Sequence, residues 1–239
     1  MFAICKKEIR QFLGNFTGYI PIIVFLLLCS LFLFVFPETN IFDAGYATLD
    51  PFFELVPWIL LLLIPAITMR SFSEEFKTGT WEILVTRPLS RWQIILGKYF
   101  SSLLIVLIAL LPTVIYIITI RQLSTDGIDN GGIAGSYIGL FFLAATFTAI
   151  GLCCSAFTHN AVVSFLVSAF ACFLLYIAFN AVSKAGSFRG GADYIIEMIG
   201  IDFHYRSISR GAIDSRDIIY FLSVIVLFLF ITNKKLLNR

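Results

Sequence analysis

Residues 101–120 read SSLLIVLIALLPTVIYIITI, and no charged residue interrupts them. An α-helix needs about 20 apolar residues to cross the hydrocarbon core of a bilayer. Five further apolar runs of about this length lie on either side, at 19–36, 51–69, 137–157, 161–182 and 217–232. The sequence therefore predicts an all-α integral membrane protein with six transmembrane helices.

The composition of the whole chain supports a membrane protein. Of the 239 residues, 59% are apolar and 13% are charged, whereas soluble domains have about 45–50% and about 25%. A soluble protein of this size cannot bury so much apolar surface, which excludes a soluble enzyme, a nucleic-acid-binding domain and a disordered chain. The five cysteines form no CxxC spacing and mostly lie in apolar runs, so we interpret them as packing residues.

The Lys and Arg residues predict the orientation. With the N-terminus inside, the inner side has eleven of the 17 Lys and Arg residues and only four of the 15 carboxylates. Because basic residues concentrate on the cytoplasmic side, both termini are expected in the cytoplasm. The first run is too long for a signal peptide, and PETN follows it where a small-residue cleavage site is expected, so it is a retained span.

The first 18 residues have the pattern of an amphipathic helix. Apolar residues recur at helical spacing, and polar ones take the other side. The apolar set is Phe2, Cys5, Ile9, Phe12, Leu13 and Phe16, and the basic set is Lys6, Lys7 and Arg10. We expect an in-plane "elbow" helix on the inner lipid headgroups, with Gly14 and Gly18 allowing a bend into the first span. The alternative is a simple basic flank of that span.

The segment 70–98 is longer than a connection requires. Ser71 to Glu74 and Ser90 to Gln93 each fit a capping box, and the Gly79 region separates them. Three short helices are therefore expected, forming a docking surface for a soluble cytoplasmic partner. The alternative is a solvated hairpin with Trp81 and Trp92 at the membrane interface.

The segment 183–216 is the longest connection on the expected outer side. Residues 193–200 are too short to span and too apolar to lie in water. A short helix dipping into the outer leaflet is expected there, with Tyr194, Glu197 and Met198 as candidate gate residues. The alternative is a loop that seals the bundle.

Ionisable and catalytic residues are sparse. No charged residue or histidine lies deep in a span, and Glu54 comes closest. Ion-coupled carriers usually need such a group at mid-membrane, so the energy is expected to come from another subunit. The chain has no GxxxxGK(S/T) motif for ATP.

Two arrangements that include histidine suggest no chemistry. Ser155 with His159 lacks a glycine-rich oxyanion context, and His204 with Asp202 lacks further metal-ligand spacing. The sequence thus predicts neither a catalytic site nor a metal site. Since six spans with few polar groups enclose a pathway poorly, the conduit is expected between two such subunits, identical or different.

One motif resembles the permease subunits of ABC-2 type transporters. It comprises Glu75, Lys77, Gly79-Thr80 and Glu82, then a Pro88 turn and IILGK at 94–98. The runs at 51–75 and 97–116 resemble, more closely, the gliding-motility-associated ABC transporter permeases. This likeness spans essentially the whole chain.

The resemblance implies a fold and partners. Such permeases have six spans in the bacterial inner membrane, an elbow helix (here 1–18), a coupling region (70–98) and a short outer helix (193–200). They bind no cofactor, because a separate ATPase subunit uses ATP and Mg, and the gliding type has a second membrane component with a large extracytoplasmic part. The residues expected to couple to the ATPase are Glu74, Glu75, Phe76, Lys77, Gly79, Thr80, Trp81 and Glu82.

Three functions follow as hypotheses. The first is a permease subunit of an ATP-driven exporter associated with gliding motility, in which Glu75, Lys77 and Gly79 present the docking element and Phe76 and Trp81 act as apolar anchors. The second is a membrane scaffold that anchors a motility or surface apparatus without transport. The third is a self-sufficient secondary carrier. The expected partners include membrane lipid but no nucleic acid, and the sequence does not name a substrate.

Overall fold

The computed structural model describes residues 1–36, 48–124, 128–184, 192–212 and 214–238, and all regular structure in these ranges is helical. The helices are α1 (Phe2–Leu13), α2 (Phe16–Phe34), α3 (Asp50–Thr68), α4 (Ser73–Thr78), α5 (Thr80–Val85), α6 (Arg91–Leu110), α7 (Val114–Leu123), α8 (Asn130–Phe157), α9 (Ala161–Phe173), α10 (Phe179–Lys184), α11 (Ala192–Met198), α12 (Ile201–Ser209) and α13 (Ser215–Leu237). Most of the 37–50 connection and part of the 183–192 stretch lie outside the described residues.

The described helices include five that are long and apolar enough to cross a membrane, and a sixth if α1 and α2 count as one bent span. The two helices meet at an angle of 71° between Phe2–Leu13 and Gly18–Phe34. Gly18 permits this bend, because a Cβ there would lie 2.0 Å from the carbonyl oxygen of Phe12. The described ranges are therefore those of a helical protein with several candidate membrane spans, in which α1 turns sharply into α2.

Helix α8 forms the centre of the bundle and packs against α3, α9, α12 and α13. Small residues on α8 allow these helices to approach closely. A Cβ at Gly151, for example, would lie 2.2 Å from Oγ1 of Thr68 on α3. The helix begins at Asn130, seven residues before the apolar run at 137, because the Asp129 carboxylate accepts hydrogen bonds from the N–H groups of Gly131 and Gly132 and caps it.

Two spans contain local changes of helix type. A 3₁₀ turn at Leu111–Thr113, which includes Pro112, joins α6 to α7, and together they are long enough for one span. A π-helical turn at Leu174–Ala178 joins α9 to α10, and Tyr176 within it is buried. Single π-turns inside α-helices often mark functional positions.

The 183–216 segment differs from the sequence expectation. The structure has two helices there instead of one, with a break at Gly200. The second, α12, packs into the bundle through the buried side chains of Ile201, Tyr205 and Ile208. These residues lie on one face of the helix. Polar residues separate them in the sequence, so they form no long apolar run.

Candidate functional site

Lys98 on α6 is buried, with 1% of its surface exposed, and it joins three separate parts of the chain. Its Nζ donates to Glu8 Oε1 on α1 at 3.0 Å and to Glu75 Oε1 on α4 at 2.8 Å. It also donates to the carbonyl oxygen of Ser71 at 2.7 Å. The ammonium group has three donors, and these three contacts use all of them.

The charges around Lys98 balance. Lys7 lies 3.7 Å from Glu8 and 3.7 Å from Glu75, and its own side chain is 55% exposed. We call Lys7, Glu8, Glu75 and Lys98 the Lys98 cluster. Glu75 is only 9% exposed, and its Oε2 has no hydrogen-bond partner among the described residues. The two cations therefore balance the charge of the two carboxylates, and of the four side chains only that of Lys7 is largely exposed.

Local sequence places Lys98 at this point. Ser90 and Gln93 form the expected capping box: the Gln93 N–H donates to Ser90 Oγ, and the Ser90 N–H donates to Gln93 Oε1. This confirms the predicted start of α6. Next to Lys98, Gly97 lets α1 pack closely, because a Cβ there would lie 3.0 Å from the Ile4 side chain. The Phe72 ring lies 5.3 Å from the Lys98 ammonium group.

A second link joins the 70–98 segment to α8. The N–H groups of Phe72 and Ser73 donate to Ser155 Oγ at 3.0 and 3.2 Å, and that hydroxyl donates to the carbonyl oxygen of Met69 at 3.2 Å. Ser155 is thus occupied by backbone groups, which is a structural role. The ring of His159 lies 5.7 Å from that of Phe76.

The structure corrects two details of the sequence interpretation. The capping box at Ser71 is wrong: α4 begins at Ser73 with Phe72 as its N-cap residue, and no side chain caps it. The Ser155 hydroxyl instead accepts from the N–H groups of Phe72 and Ser73, the N-cap and first residues of α4. The third expected short helix is also wrong, because α6 continues from Arg91 directly into a span.

The residues expected to couple to an ATPase divide into two groups. Five are exposed, on α4, on α5 and at the turn between them: Glu74, Lys77, Gly79, Thr80 and Glu82. We call Lys77, Gly79, Thr80 and Glu82 the tip, whereas Glu74, in the first turn of α4, lines a small pocket beside α1. Gly79 ends α4 in the left-handed conformation with φ +71°, which favours glycine. The tip is thus a helix–turn–helix corner with mixed charges.

The other three expected coupling residues point inward, contrary to the idea that they are presented to a partner. Glu75 contacts Lys98, and Trp81 is buried. Phe76 is half-buried and packs against the rings of Phe72 and Trp81, whose centroids lie 6.1 and 5.6 Å from its own. We call Glu75, Phe76 and Trp81, together with Phe72, the base, and the tip packs on it.

The basic residues of the elbow are exposed, as an in-plane helix requires. Lys6, Lys7 and Arg10 all have exposed side chains. The expected apolar stripe is only partly turned inward, because Phe2 is 81% exposed while Ile4, outside the stripe, is buried. Helix α1 therefore packs on α6 through Ile4 and leaves Phe2 exposed.

The candidate gate residues lie on α11 at the opposite end of the bundle. Tyr194 and Met198 are exposed and Glu197 is half-buried. A cavity of about 910 Å³ at this end is lined by other residues, among them Trp58, Tyr176, Asp202, Tyr205 and Arg206. The structure brings α12, and not the three candidates, to this cavity.

Two buried acidic contacts fix α12. Asp202 accepts from Asn180 Nδ2 at 3.0 Å and from Arg206 Nε at 2.9 Å, and this carboxylate raises the pKa of the Arg206 guanidinium. His204 Nδ1 lies 2.6 Å from Asp217 Oδ1, and His204 Nε2 donates to the carbonyl oxygen of Met198 at 2.8 Å. Over the described ranges, no group of three or more His, Cys, Asp and Glu residues has metal-binding geometry.

Sequence reasoning missed Glu8, Lys98 and His204 as site residues. A signal for Lys98 was present, because it is the single charge in the stretch IILGKYF. A lysine inside an apolar helix needs a partner, since a buried unpaired charge is costly. Its partner Glu8 lies 90 residues earlier in the chain, so the sequence around Lys98 gives no sign of it.

Residues 3–197 match the family model described as "ABC-2 family transporter protein". The match includes most of the elbow, the whole 70–98 segment and most of α11, and it ends before α12 and α13. No curated protein matches the chain.

Proposed function

The chain belongs to the ABC-2 transporter family and is a membrane component of an ABC transporter, and from this premise we propose that it couples a separate ATPase subunit to substrate movement. The ATPase binds and hydrolyses ATP with Mg, and the permease moves the substrate across the bacterial inner membrane. In this proposal the tip faces the cytoplasm and contacts the ATPase.

One observation carries the proposal: the exposed tip stands on a base that is joined to the spans by buried polar contacts. Lys98 connects the base to α1 and α6, and Ser155 connects it to α8. Buried ion pairs have exacting geometry, since each charge has lost its water. We therefore expect that α1, α6 and α8 move when the tip is displaced, because these contacts join them to the base.

The proposed coupling step follows from these contacts. When the ATPase subunits close on ATP, they push α4 and α5. Because Glu75 on α4 and Glu8 on α1 share the Lys98 ammonium group, α1 and α6 move with the tip. Ser155 passes the same movement to α8, the centre of the bundle.

The wider assembly is also proposed. Two permease subunits, identical or different, form the pathway between them. The resemblance to gliding-motility permeases supports a role in gliding motility and an auxiliary membrane protein with an extracytoplasmic part.

The experiment uses the complex purified from its native membrane and reconstituted in liposomes. Gly79→Leu forces a branched side chain into a left-handed backbone position, which should distort the tip without altering the spans. We expect membrane insertion to stay normal and substrate-stimulated ATPase activity to fall at least tenfold. Glu75→Lys, which places a third cation in the Lys98 cluster, should lower the stimulated activity in the same way.

The matched control is Thr86→Leu, which adds a similar side chain at the exposed end of α5. It should keep its stimulated ATPase activity. Full stimulated activity in Gly79→Leu would disprove the assignment of the tip, and full stimulated activity in Glu75→Lys would disprove coupling through Lys98. If the complex still supported its cellular role with an ATPase-dead partner, the scaffold hypothesis would replace transport.

A further inference from the structure

A small pocket lies between the elbow and the spans, at the level where the spans meet the membrane surface. It has a volume of about 150 Å³ and is bounded by α1, α2, α3, α4 and α6. Met69 and Arg70, directly after α3, line one side, and Ser101 and Ser102, where the apolar part of α6 begins, line another. The pocket therefore lies at the depth of lipid headgroups if α3 and α6 cross the bilayer.

The pocket offers two opposite charges that do not neutralise each other. Arg70 and Glu74 both line it, yet their side chains form no ion pair with each other or with any other described residue. The third charged residue of the lining, Glu8, already contacts Lys98. One cation and one carboxylate, neither of them ion-paired within the described part of the chain, thus face the same small space.

Ser102 adds a hydroxyl to the polar lining of the pocket. The residue is only 5% exposed, and its side chain forms no hydrogen bond with another described residue. Its neighbour Ser101, by contrast, donates to the carbonyl oxygen of Lys98 at 2.8 Å.

The remaining walls are apolar and lead along the spans. Gly18 and Pro21 on α2, Ala66 and Ile67 on α3, and Ile105 on α6 belong to the lining. Such a surface suits acyl chains at the edge of the bilayer. The polar part of the pocket then has room for a headgroup and not for the chains.

We propose that this pocket binds a zwitterionic phospholipid headgroup of the phosphoethanolamine type. The guanidinium of Arg70 matches the phosphate, since arginine pairs with phosphate by parallel N–H donors. The carboxylate of Glu74 matches the primary ammonium, and the Ser102 hydroxyl donates to a phosphate oxygen. A lipid held there is wedged beside Glu8, next to the Lys98 cluster, and so stabilises the bend between α1 and α2.

The test measures which lipid stays bound. The complex is reconstituted in nanodiscs that contain equal amounts of palmitoyl-oleoyl phosphatidylethanolamine and palmitoyl-oleoyl phosphatidylglycerol, is then extracted into detergent, and its retained lipids are counted by mass spectrometry. We expect about tenfold enrichment of the ethanolamine lipid, as one added charge-assisted contact gives. Glu74→Gln should abolish the enrichment, because Arg70 alone accepts either phosphate. Arg70→Gln should reduce retention of both lipids.

The matched controls are Glu82→Gln and Arg87→Gln, which remove the same charges from exposed positions outside the pocket. Both should retain the ethanolamine lipid as the wild type does. Equal retention of the two lipids by the wild type would overturn the proposal, and so would preferential retention of the glycerol lipid, which would indicate an anionic-lipid site. The readout is lipid retention, so a failure here leaves the ATPase-coupling proposal unaffected.

Discussion

The two ends of the bundle are held together in different ways. At the end formed by the 70–98 segment, three parts of the chain meet at one atom, the Nζ of Lys98. At the end formed by α11 and α12, separate contacts act side by side. The Tyr205 hydroxyl donates to the carbonyl oxygen of Phe53, the Ser136 hydroxyl to that of Ser209, and His204 contacts Asp217.

This difference predicts how each end responds to damage. Removing Lys98 breaks its three hydrogen bonds at once and leaves Glu8 and Glu75 with only the exposed Lys7 to offset their charges. Removing one contact at the α12 end leaves the others in place. Contacts that meet at the single charged group of Lys98 suit a segment whose helices must move together. Separate hydrogen bonds, as around α12, suit an end of the bundle that stays closed when one contact is lost.

The largest effect is expected for Lys98→Met. The substitution keeps most of the length of the side chain but removes the buried cation of Glu8 and Glu75, and breaking a buried ion pair from one side costs about 3–5 kcal/mol. The free energy of unfolding, measured by tryptophan fluorescence in detergent micelles, should fall by that amount.

The control is Lys77→Met, an exposed position at the tip, which should change stability by less than about 0.5 kcal/mol. Adding Glu8→Gln and Glu75→Gln to Lys98→Met should recover part of the loss, since the stranded charges are then gone. A Lys98→Met protein as stable as the wild type would show that the cluster does not hold this end together.

At the α12 end, we expect a smaller loss for His204→Phe. The ring keeps its place over Tyr220, whose centroid is 3.9 Å away, but Asp217 and the Met198 carbonyl lose their partner. Leaving a buried polar group unpaired costs about 1–3 kcal/mol. Thermal unfolding in micelles measures this, with Arg210→Gln, an exposed position on the same side, as a control without effect.

Local features of the sequence predicted much of the fold. Long apolar runs indicated the spans, since each contains its own signal. The Ser90 capping box depends on residues three apart, and the helix break at Gly79 depends on one residue, so both could be deduced from the sequence alone. The exposed position of Lys77 and Glu82 follows from the same local signals, because both residues lie close to the helix break at Gly79.

Contacts between distant residues could not be predicted in this way. Glu75 looked like a surface charge because its partner, Lys98, lies 23 residues on, and Glu8 looked like part of a basic flank. Ser71 looked like a cap because nothing nearby showed that Ser155, 82 residues beyond Ser73, already serves that end. These misses share one cause: tertiary partners replaced local ones.

A pair of glycine substitutions compares how tightly the two ends are packed. Gly97→Ala places a Cβ 3.0 Å from Ile4 and 3.1 Å from the Met1 carbonyl oxygen, so α1 must move away from α6. Overpacking outweighs the gain in helix propensity, and we expect a loss of about 1 kcal/mol. Gly139→Ala on α8 meets Tyr205 at 3.4 Å, an ordinary contact, and should stabilise by up to about 1 kcal/mol. Equal signs in urea unfolding would contradict this comparison.

The smallest effect separates local from tertiary anchoring within the 70–98 segment itself. Ser90→Ala removes a side chain that caps α6 and should cost about 1 kcal/mol. Ser71→Ala, the same change at a position that the sequence equally marked as a cap, should cost almost nothing, because only the Ser71 carbonyl takes part in the cluster. Urea unfolding of the two variants beside the wild type measures the difference. Equal losses would mean that Ser71 also caps its helix in solution. Lys98 and Ser155 would then contribute less to the stability of the segment than their contacts indicate.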